Sequence, residues 1–426
     1  MELVLTQNML SGAEYPWIDT YERNGGYDAF RRAAAHMSPA EVIGVVKDSN
    51  LRGRGGAGFP TGLKWSLTVP IESSPHPRYL CCNFDEMEPG AFKDRFLAEG
   101  DPHQLIEGLL IASYAVQADA AYIFVRSEYN TVISALEKAL VEAREKGYIG
   151  TNILGKGWSI EVGIHSSAGR YICGEETGLM NALEGRRPNP RAKPPFPGTA
   201  GLFGKPTVIN NVETLCCVPH IISRGAGWFN GLGNAEDAGM KIYGVSGRVN
   251  RPGAYELPMG TTLGELIEDH AGGMSAGYSF CAALPGGAST RFMSPGQLDV
   301  PLEFTSLKEI GHFFGTGTAI VLDDRSCPVG INLNIQEFFA RESCGWCTPC
   351  REGIPWLRDL LADIEDGRGE PGDIETLSEQ CRLIGPNTYC AFAMGAVQPL
   401  MSGIELFRSD FEEHIKSKRC SYRNGS

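Results

Sequence analysis

Cys344-Gly-Trp-Cys347-Thr-Pro-Cys350 sets three thiols at i, i+3 and i+6, the densest chemistry in the chain. That spacing wraps three thiolates around one side of a compact object, and a cubane [4Fe–4S] cluster presents three adjacent iron corners to such a loop. A bacterial ferredoxin run would continue to a fourth Cys and a Pro; here Arg351 and Glu352 follow, so the fourth ligand is remote. Cys327, Cys381, Cys390 and Cys420 are the candidates. Cys381 lies within a helical pattern, whereas Cys390 follows the non-helical stretch 385–389, where backbone approaches a cluster closely. Cys390 is therefore the choice. A structural zinc is the competing reading, but zinc favours paired CxxC units and a second pair is missing.

Four further segments have nucleotide-binding character. Arg52-Gly53-Arg54-Gly55-Gly56-Ala57-Gly58 fits GxGxxG, although a helix precedes it and no acid stands about 20 residues on, unlike a dinucleotide fingerprint. Its glycines let backbone N–H groups approach a phosphate, with Arg52, Arg54 and Lys64 as counter-charges; a surface loop is the alternative. Asn83, Asp85, Glu86 and Glu88 follow a short apolar run, where α/β sheets bind ligands. They suit hydroxyls, ring N–H groups or a cation, or else form a solvated turn. Tyr171-Ile-Cys173-Gly174-Glu175-Glu176 puts two acids in a helix's first turn. The dipole stabilises them there, and phosphate would be repelled, which leaves ribose or base as partner. Asn210-Asn211-Val212-Glu213-Thr214 offers uncharged donors and acceptors, or an N-cap and first turn.

Elements must hold these groups in place. Residues 1–35 are polar and mixed, read as an extended arm broken at Gly25-Gly26. Ser38-Pro39 caps a helix carrying Val42, Val45 and Val46 on one face. Runs at 78–84 and 120–125 read as strands, 130–146 as an amphipathic helix, 159–165 as a half-buried strand and 174–185 as a helix. The result is an α/β layered domain. Residues 186–205 form a long Pro-, Gly- and Arg-rich loop. From 241 a compact α+β module begins, with strands around Asn250-Arg251-Pro252-Gly253, a short capped helix and a strand at 318–322. Beyond Cys327 the pattern is helical: 331–342, 353–366, 374–383 and 393–414.

Composition narrows the possibilities. The chain has 426 residues, 42% hydrophobic, with 53 Gly and 26 Pro, which is globular and too few Gly and Pro for low complexity. A formal net charge of −13 argues against nucleic acid as a partner. No apolar run reaches membrane-spanning length, and the N-terminus lacks the basic start of a signal peptide, so the 13 cysteines are expected to be thiols or metal ligands. Cys81-Cys82, Cys216-Cys217 and Cys281 read as small buried hydrophobes.

LRGRGGAGFPTGLKW at 51–65, CNFDEMEPGAFKDR at 82–95, GRYICGEETGLMNALEGRRPNPR at 169–191, KPTVINNVETL at 205–215 and ESCGWCTPCREG at 342–353 together resemble one family. It is the NADH-binding flavoprotein subunit of respiratory complex I (NADH:quinone oxidoreductase), related to diaphorase subunits of NAD-linked hydrogenases and formate dehydrogenases. The resemblance implies a Rossmann-like but atypical FMN/NADH-binding α/β domain (1–235), a ubiquitin-like β-grasp module (236–325) and a C-terminal helical bundle holding a [4Fe–4S] cluster (326–426). It implies FMN held by Gly53, Arg54, Gly55, Gly56, Ala57, Gly58, Lys64, Asn83, Asp85, Glu86, Gly174, Glu175, Glu176, Asn210, Asn211 and Thr214. NADH would meet Phe59 and Phe196 near its adenine, with Glu88, Tyr171, Glu176 and Lys193 in contact. The cluster would be ligated by Cys344, Cys347, Cys350 and Cys390.

Phe84 stands where a small residue is expected and must point into the core; Leu67 stands where an aromatic would add stacking. Hydride would pass directly from NADH to FMN with no catalytic side chain, and single electrons would leave through the cluster. The implied acceptor is a thioredoxin-like [2Fe–2S] subunit among other peripheral-arm subunits, on the cytoplasmic side of the membrane. A hydrogenase or formate dehydrogenase diaphorase, or a zinc-stabilised nucleotide-binding scaffold, are the alternatives.

Overall fold

The computed structural model describes residues 2–9, 17–68, 76–234 and 236–424. Two compact units emerge. The first comprises Met1–Met87, Phe92–Tyr243 and Ala254–Thr261; the second comprises Glu88–Ala91, Gly244–Gly253 and Thr262–Ser426.

The first unit is built on four parallel strands, β1 (Tyr79–Phe84), β2 (Ala120–Val125), β3 (Glu161–Ser166) and β4 (Thr207–Asn211), in the order β3-β2-β1-β4. Helices Pro102–Ala115 and Asn130–Glu145 make the first two crossovers, and Val212–Arg224 follows β4. In Pro102–Ala115 every residue except Tyr114 is buried. Its closest neighbour is Val212–Arg224: a Cβ on Gly108 would lie 2.0 Å from the Leu215 carbonyl oxygen, so only glycine lets the two helices meet. Phe84 is fully buried in this core and packs edge-on against Tyr129, as its size demands.

β4 is the strand of the first unit that sequence patterning misses. It has five residues and ends in two asparagines, which carry turn propensity, yet pairing along β1 from Tyr79 to Asn83 makes it a strand. The extended arm expected over 1–35 is also corrected. Residues 18–23 and 28–36 are helices, and Tyr21, Tyr27 and Phe30 are core residues. Their organiser is remote in sequence: the buried Glu107 carboxylate accepts the Tyr21 hydroxyl at 2.6 Å and the N–H groups of Tyr27 and Phe30 at 2.9 and 3.0 Å. Gly25 alone adopts φ +87° at the expected break. The 186–205 loop contains the short helix Pro197–Ala200 and a 3-10 turn, Leu202–Gly204.

The chain then forms a sheet of β5 (Met240–Gly247), β6 (Gly253–Pro258), β7 (Phe280–Leu284) and β8 (Thr318–Asp323), ordered β6-β5-β8-β7. In the second unit, Gly244–Gly247 runs parallel to Thr318–Val321 and β7 is antiparallel to β8. Sequence patterning does not find β7. Four helices follow, Pro328–Glu342, Thr348–Glu365, Asp373–Ile384 and Ala391–Ser417, in the places the helical periodicity predicts. The α/β layer, the small mixed module and the helical bundle are thus all present. No helix of the described residues is long and apolar enough to cross a membrane.

Candidate nucleotide site and cysteine centre

In the first unit, β1 lies between β2 and β4, so the chain leaves β1 on one side and returns on the other. Such a reversal opens a crevice at the carboxyl ends of the strands. Asn83 and Asn211 are register partners there, and Cys82 pairs with Asn210. The Asn83 amide donates to the Gly174 carbonyl at 2.8 Å, tying the end of β1 to the turn Tyr171–Gly174. Asn210 accepts the Trp65 indole N–H at 2.8 Å, and Asn211 caps the following helix through the Glu213 N–H at 3.1 Å.

The glycine loop sits on this edge. Gly53 N–H donates to the Phe59 carbonyl at 2.9 Å and Arg54 N–H to the Thr214 hydroxyl at 2.8 Å. A Cβ on Gly55 would come within 3.1 Å of the Asn211 Cβ, so the loop backbone rests directly on the end of β4. Gly56 and Gly58 have φ of +124° and +66°, left-handed values natural only to glycine. The N–H groups of Gly55 and Gly56 make no hydrogen bond among the described residues. A surface of bare donors beside two asparagine side chains fits an anionic, flavin-like ligand. The Arg54 guanidinium turns away: it is fully buried and donates to the carbonyls of Ala238 at 2.7 Å and Met240 at 3.3 Å.

The acids divide by role. Glu175 is an N-cap, accepting the N–H groups of Thr177 and Gly178 at 2.8 Å each. Glu86 accepts the Asp94 and Arg95 N–H groups at 2.9 and 3.0 Å at the start of helix Lys93–Gly100. Burial, with Asp94 nearby, raises its pKa to about 7. Glu176 instead stands between two lysines, Lys64 at 3.0 Å and Lys193 at 2.5 Å. Burial disfavours its charge, but the two ammonium groups prevail and hold its carboxyl below the usual range. Asp85 is buried, with its carbonyl 3.5 Å from where a Gly174 Cβ would lie.

Beneath the crevice lies a charge cluster that the motifs do not reveal. Lys93 Nζ contacts Asp94 at 2.7 Å and Glu213 at 3.0 Å, while Lys241 Nζ reaches Glu213 at 2.9 Å, all essentially out of solvent. Burial opposes the Glu213 charge, yet Lys241 and Lys93 depress its pKa to about 2. The available signal is Lys93-Asp94 within the 82–95 motif and Glu213 within 205–215; Lys241 carries none.

In the second unit, Cys347 and Cys390 are the N-cap residues of helices Thr348–Glu365 and Ala391–Ser417. Cys350 lies one turn into the first of these. Tyr389 N–H donates to Cys347 Sγ at 3.3 Å, and the Ser343 hydroxyl lies 3.2 Å from Cys350 Sγ. Burial raises the Cys350 pKa to about 11, and charge on the nearby Cys390, Cys344 and Cys347 adds to this. Gly345, at φ +77°, makes the reversal between Cys344 and Cys347. Four sulfurs at two helix N-termini suit a net-negative cluster. Cys327 and Cys420 gather elsewhere with Glu365 and His414, and Cys381 is buried within helix Asp373–Ile384.

Three family models match in chain order: the Nuo51 FMN-binding domain over 46–220, an SLBB domain over 242–292 and the NADH-ubiquinone oxidoreductase-F iron–sulfur binding region over 331–414. The chain is 52% identical to the F subunit of NADH-quinone oxidoreductase in Salmonella typhimurium, over 97% of its own length and 93% of the relative's. The chain belongs to the NADH-quinone oxidoreductase F-subunit family.

The corresponding F subunit of Streptomyces coelicolor is 44% identical, over 95% of this chain and 89% of that one. A crystal structure of NAD+-reducing [NiFe]-hydrogenase superposes with a TM-score of 0.82 at 34% identity, covering 98% of this chain and 67% of that one. As a member of the F-subunit family, the chain has an FMN-binding domain and a [4Fe–4S]-binding region as its cofactor sites. The remaining expected nucleotide contacts are dispersed. Phe59 and Phe196 are exposed, Leu67 is exposed beside the loop, and Tyr171 opens the turn that Asn83 holds. Glu88 belongs to the second unit, where it accepts the Ser289 N–H at 2.6 Å.

Proposed function

We propose that this chain is the electron-input subunit of a respiratory NADH:quinone oxidoreductase. The carrying observation is one chain that combines a donor-lined crevice at a strand-order reversal with cysteines gathered at two helix N-termini. Bound in the crevice, FMN links the two-electron chemistry of a nicotinamide to the one-electron chemistry of an iron–sulfur centre.

The protein's part is positioning. Gly53–Gly58 backbone groups take the flavin phosphate, while Asn83, Asn210, Asn211 and Thr214 shape the edge beside it, with Asp85, Glu86 and Gly174–Glu176 closing the far side. Lys64 and Lys193 are held by Glu176, which keeps two cations and one anion at the crevice mouth for the NADH ribose and phosphates. Phe59 and Phe196 offer exposed rings to the adenine, with Tyr171 as a further NADH contact. No side chain is assigned proton transfer. Arg54 contributes backbone to the loop and charge to the buried cluster rather than a guanidinium to phosphate.

Cys344, Cys347, Cys350 and Cys390 hold the cluster. Trp346 and Tyr389 are exposed beside it, which supports electron exit there to a partner, read as the thioredoxin-like [2Fe–2S] subunit. The chain is read as three modules (1–235, 236–325, 326–426), attached peripherally on the cytoplasmic face of the membrane through the complex. The hydrogenase likeness favours one second reading, a diaphorase component, at lower identity than the NADH-quinone oxidoreductase relatives.

Anaerobic NADH titration of the chain with its bound partner is the test. Flavin bleaching followed by a reduced-cluster EPR signal is expected. Protein without flavin or cluster iron overturns the reading, and co-purification with hydrogenase subunits selects the alternative.

A further inference from the structure

Cys327 and Cys420, two of the thiols available as a remote cluster ligand, meet at a different place in the second unit. Their sulfurs join Glu365 and His414 in a group whose four ligand atoms all lie within 4.8 Å of one another. Cys327 Sγ is 3.3 Å from Glu365 Oε2 and 3.4 Å from His414 Nε2, and Nε2 is 3.4 Å from the same Oε2. Zinc bonds of about 2.0–2.3 Å in a tetrahedron put ligand atoms roughly 3.3–3.8 Å apart. The three edges among Cys327, Glu365 and His414 fall at the tight end of that range.

We propose that Cys327, Glu365, His414 and Cys420 form a structural zinc site, separate from the iron–sulfur centre. A second contact orients the ring: His414 Nδ1 lies 2.7 Å from the Asp410 carbonyl, which can only accept, so Nδ1 carries a proton and Nε2 is the nitrogen that a metal would take, displacing any proton held there. Gly330 N–H donates to Cys327 Sγ at 3.2 Å, which stabilises a thiolate. Thiolate and imidazole donors select zinc over calcium or magnesium, which take oxygen. Four protein ligands leave no open position, the mark of a structural site.

The four positions also say what the ion does. Cys327 caps helix Pro328–Glu342, Glu365 ends Thr348–Glu365, His414 is in the last turn of Ala391–Ser417, and Cys420 lies in the segment beyond. One ion would clip three helix ends to the C-terminal segment. The site rests on none of the nucleotide or cluster assignments.

Metal analysis of the full chain, purified with its iron–sulfur cluster assembled and dialysed, should find one zinc per chain beyond the cluster iron. Cys327→Ser combined with Cys420→Ser should remove that zinc and leave the iron. Wild-type protein without zinc, or zinc retained by the double variant, overturns the proposal. If the double variant fails to fold, cobalt(II) exchange into the wild-type chain decides. A thiolate-to-cobalt charge-transfer band with the cluster intact supports the site, and its absence overturns it.

Discussion

The Tyr389 backbone N–H points at the Cys347 sulfur across 42 positions of chain, 3.3 Å away. That contact brings the residue before Cys390 onto the CxxCxxC loop, so Cys390 arrives there with its own helix N-terminus.

Cys390→Ser is expected to abolish the reduced-cluster EPR signal and lower bound iron, while FMN stays bound and reducible by NADH. The crevice and the cysteine centre are built from different units, so one can fail without the other. An unaltered EPR signal and iron content would place the fourth ligand elsewhere.

Gly55→Ala tests the cradle. Gly55 has no left-handed φ, so the requirement there is space: the new methyl would press on Asn211 at 3.1 Å. The affinity for FMN is expected to fall about tenfold, equivalent to ~1.4 kcal/mol, with the melting temperature of the apoprotein little changed. An unchanged Kd, measured by titrating the apoprotein with FMN, counts against the loop.

Glu213→Gln is expected to destabilise the first unit by roughly 3–5 kcal/mol, since it leaves Lys93 and Lys241 buried side by side without their shared carboxylate. Adding Lys241→Met should recover part of the loss. Denaturant midpoints of the two variants measure this, and equal midpoints would mean that the cluster is not coupled.

His220 gives a pH signature. Burial, assisted by Arg224, lowers its pKa from 6.5 to about 4, and its Nε2 lies 2.6 Å from Gln104 Oε1. The unfolded chain takes up the proton from about pH 6.5 and the folded chain only near 4. Stability therefore rises with pH across that window and falls as pH drops through it, by about 2 kcal/mol between neutrality and pH 5. His220→Gln should lack this component, so the wild-type and variant unfolding free energies should converge on acidification. A difference that stays constant from pH 7.5 to 5 removes His220 as the cause.

Much of the site was legible in the chain itself, because its chemistry is local. The CxxCxxC loop and the glycine-dense 53–58 segment each carry several functional groups on a few consecutive residues. The four helices of the C-terminal bundle followed from periodicity for the same reason, although two begin several residues earlier than the pattern predicts, at Pro328 and Thr348. What depended on distant partners was not legible. Residues 18–36 read as an arm because the carboxylate that organises them, Glu107, is some eighty positions on. Glu86 and Glu175 looked alike as candidate ligand groups, but backbone N–H groups engage both as caps. Arg54 looked like a phosphate counter-ion, and its guanidinium faces inward instead.

By itself, then, the sequence determined which donor types exist and the local loops that carry them, since spacing along a chain sets geometry over a few residues. Only the tertiary structure decided which donors meet. Slotting β4 beside β1 put Asn211 opposite Asn83 and created the crevice. The folding of the bundle placed Cys327 and Cys420 beside His414 and Glu365, while Cys390 caps a helix next to the CxxCxxC loop. Sequence separation carries no information on such encounters, because they are fixed by packing between elements rather than by any property of the segments alone.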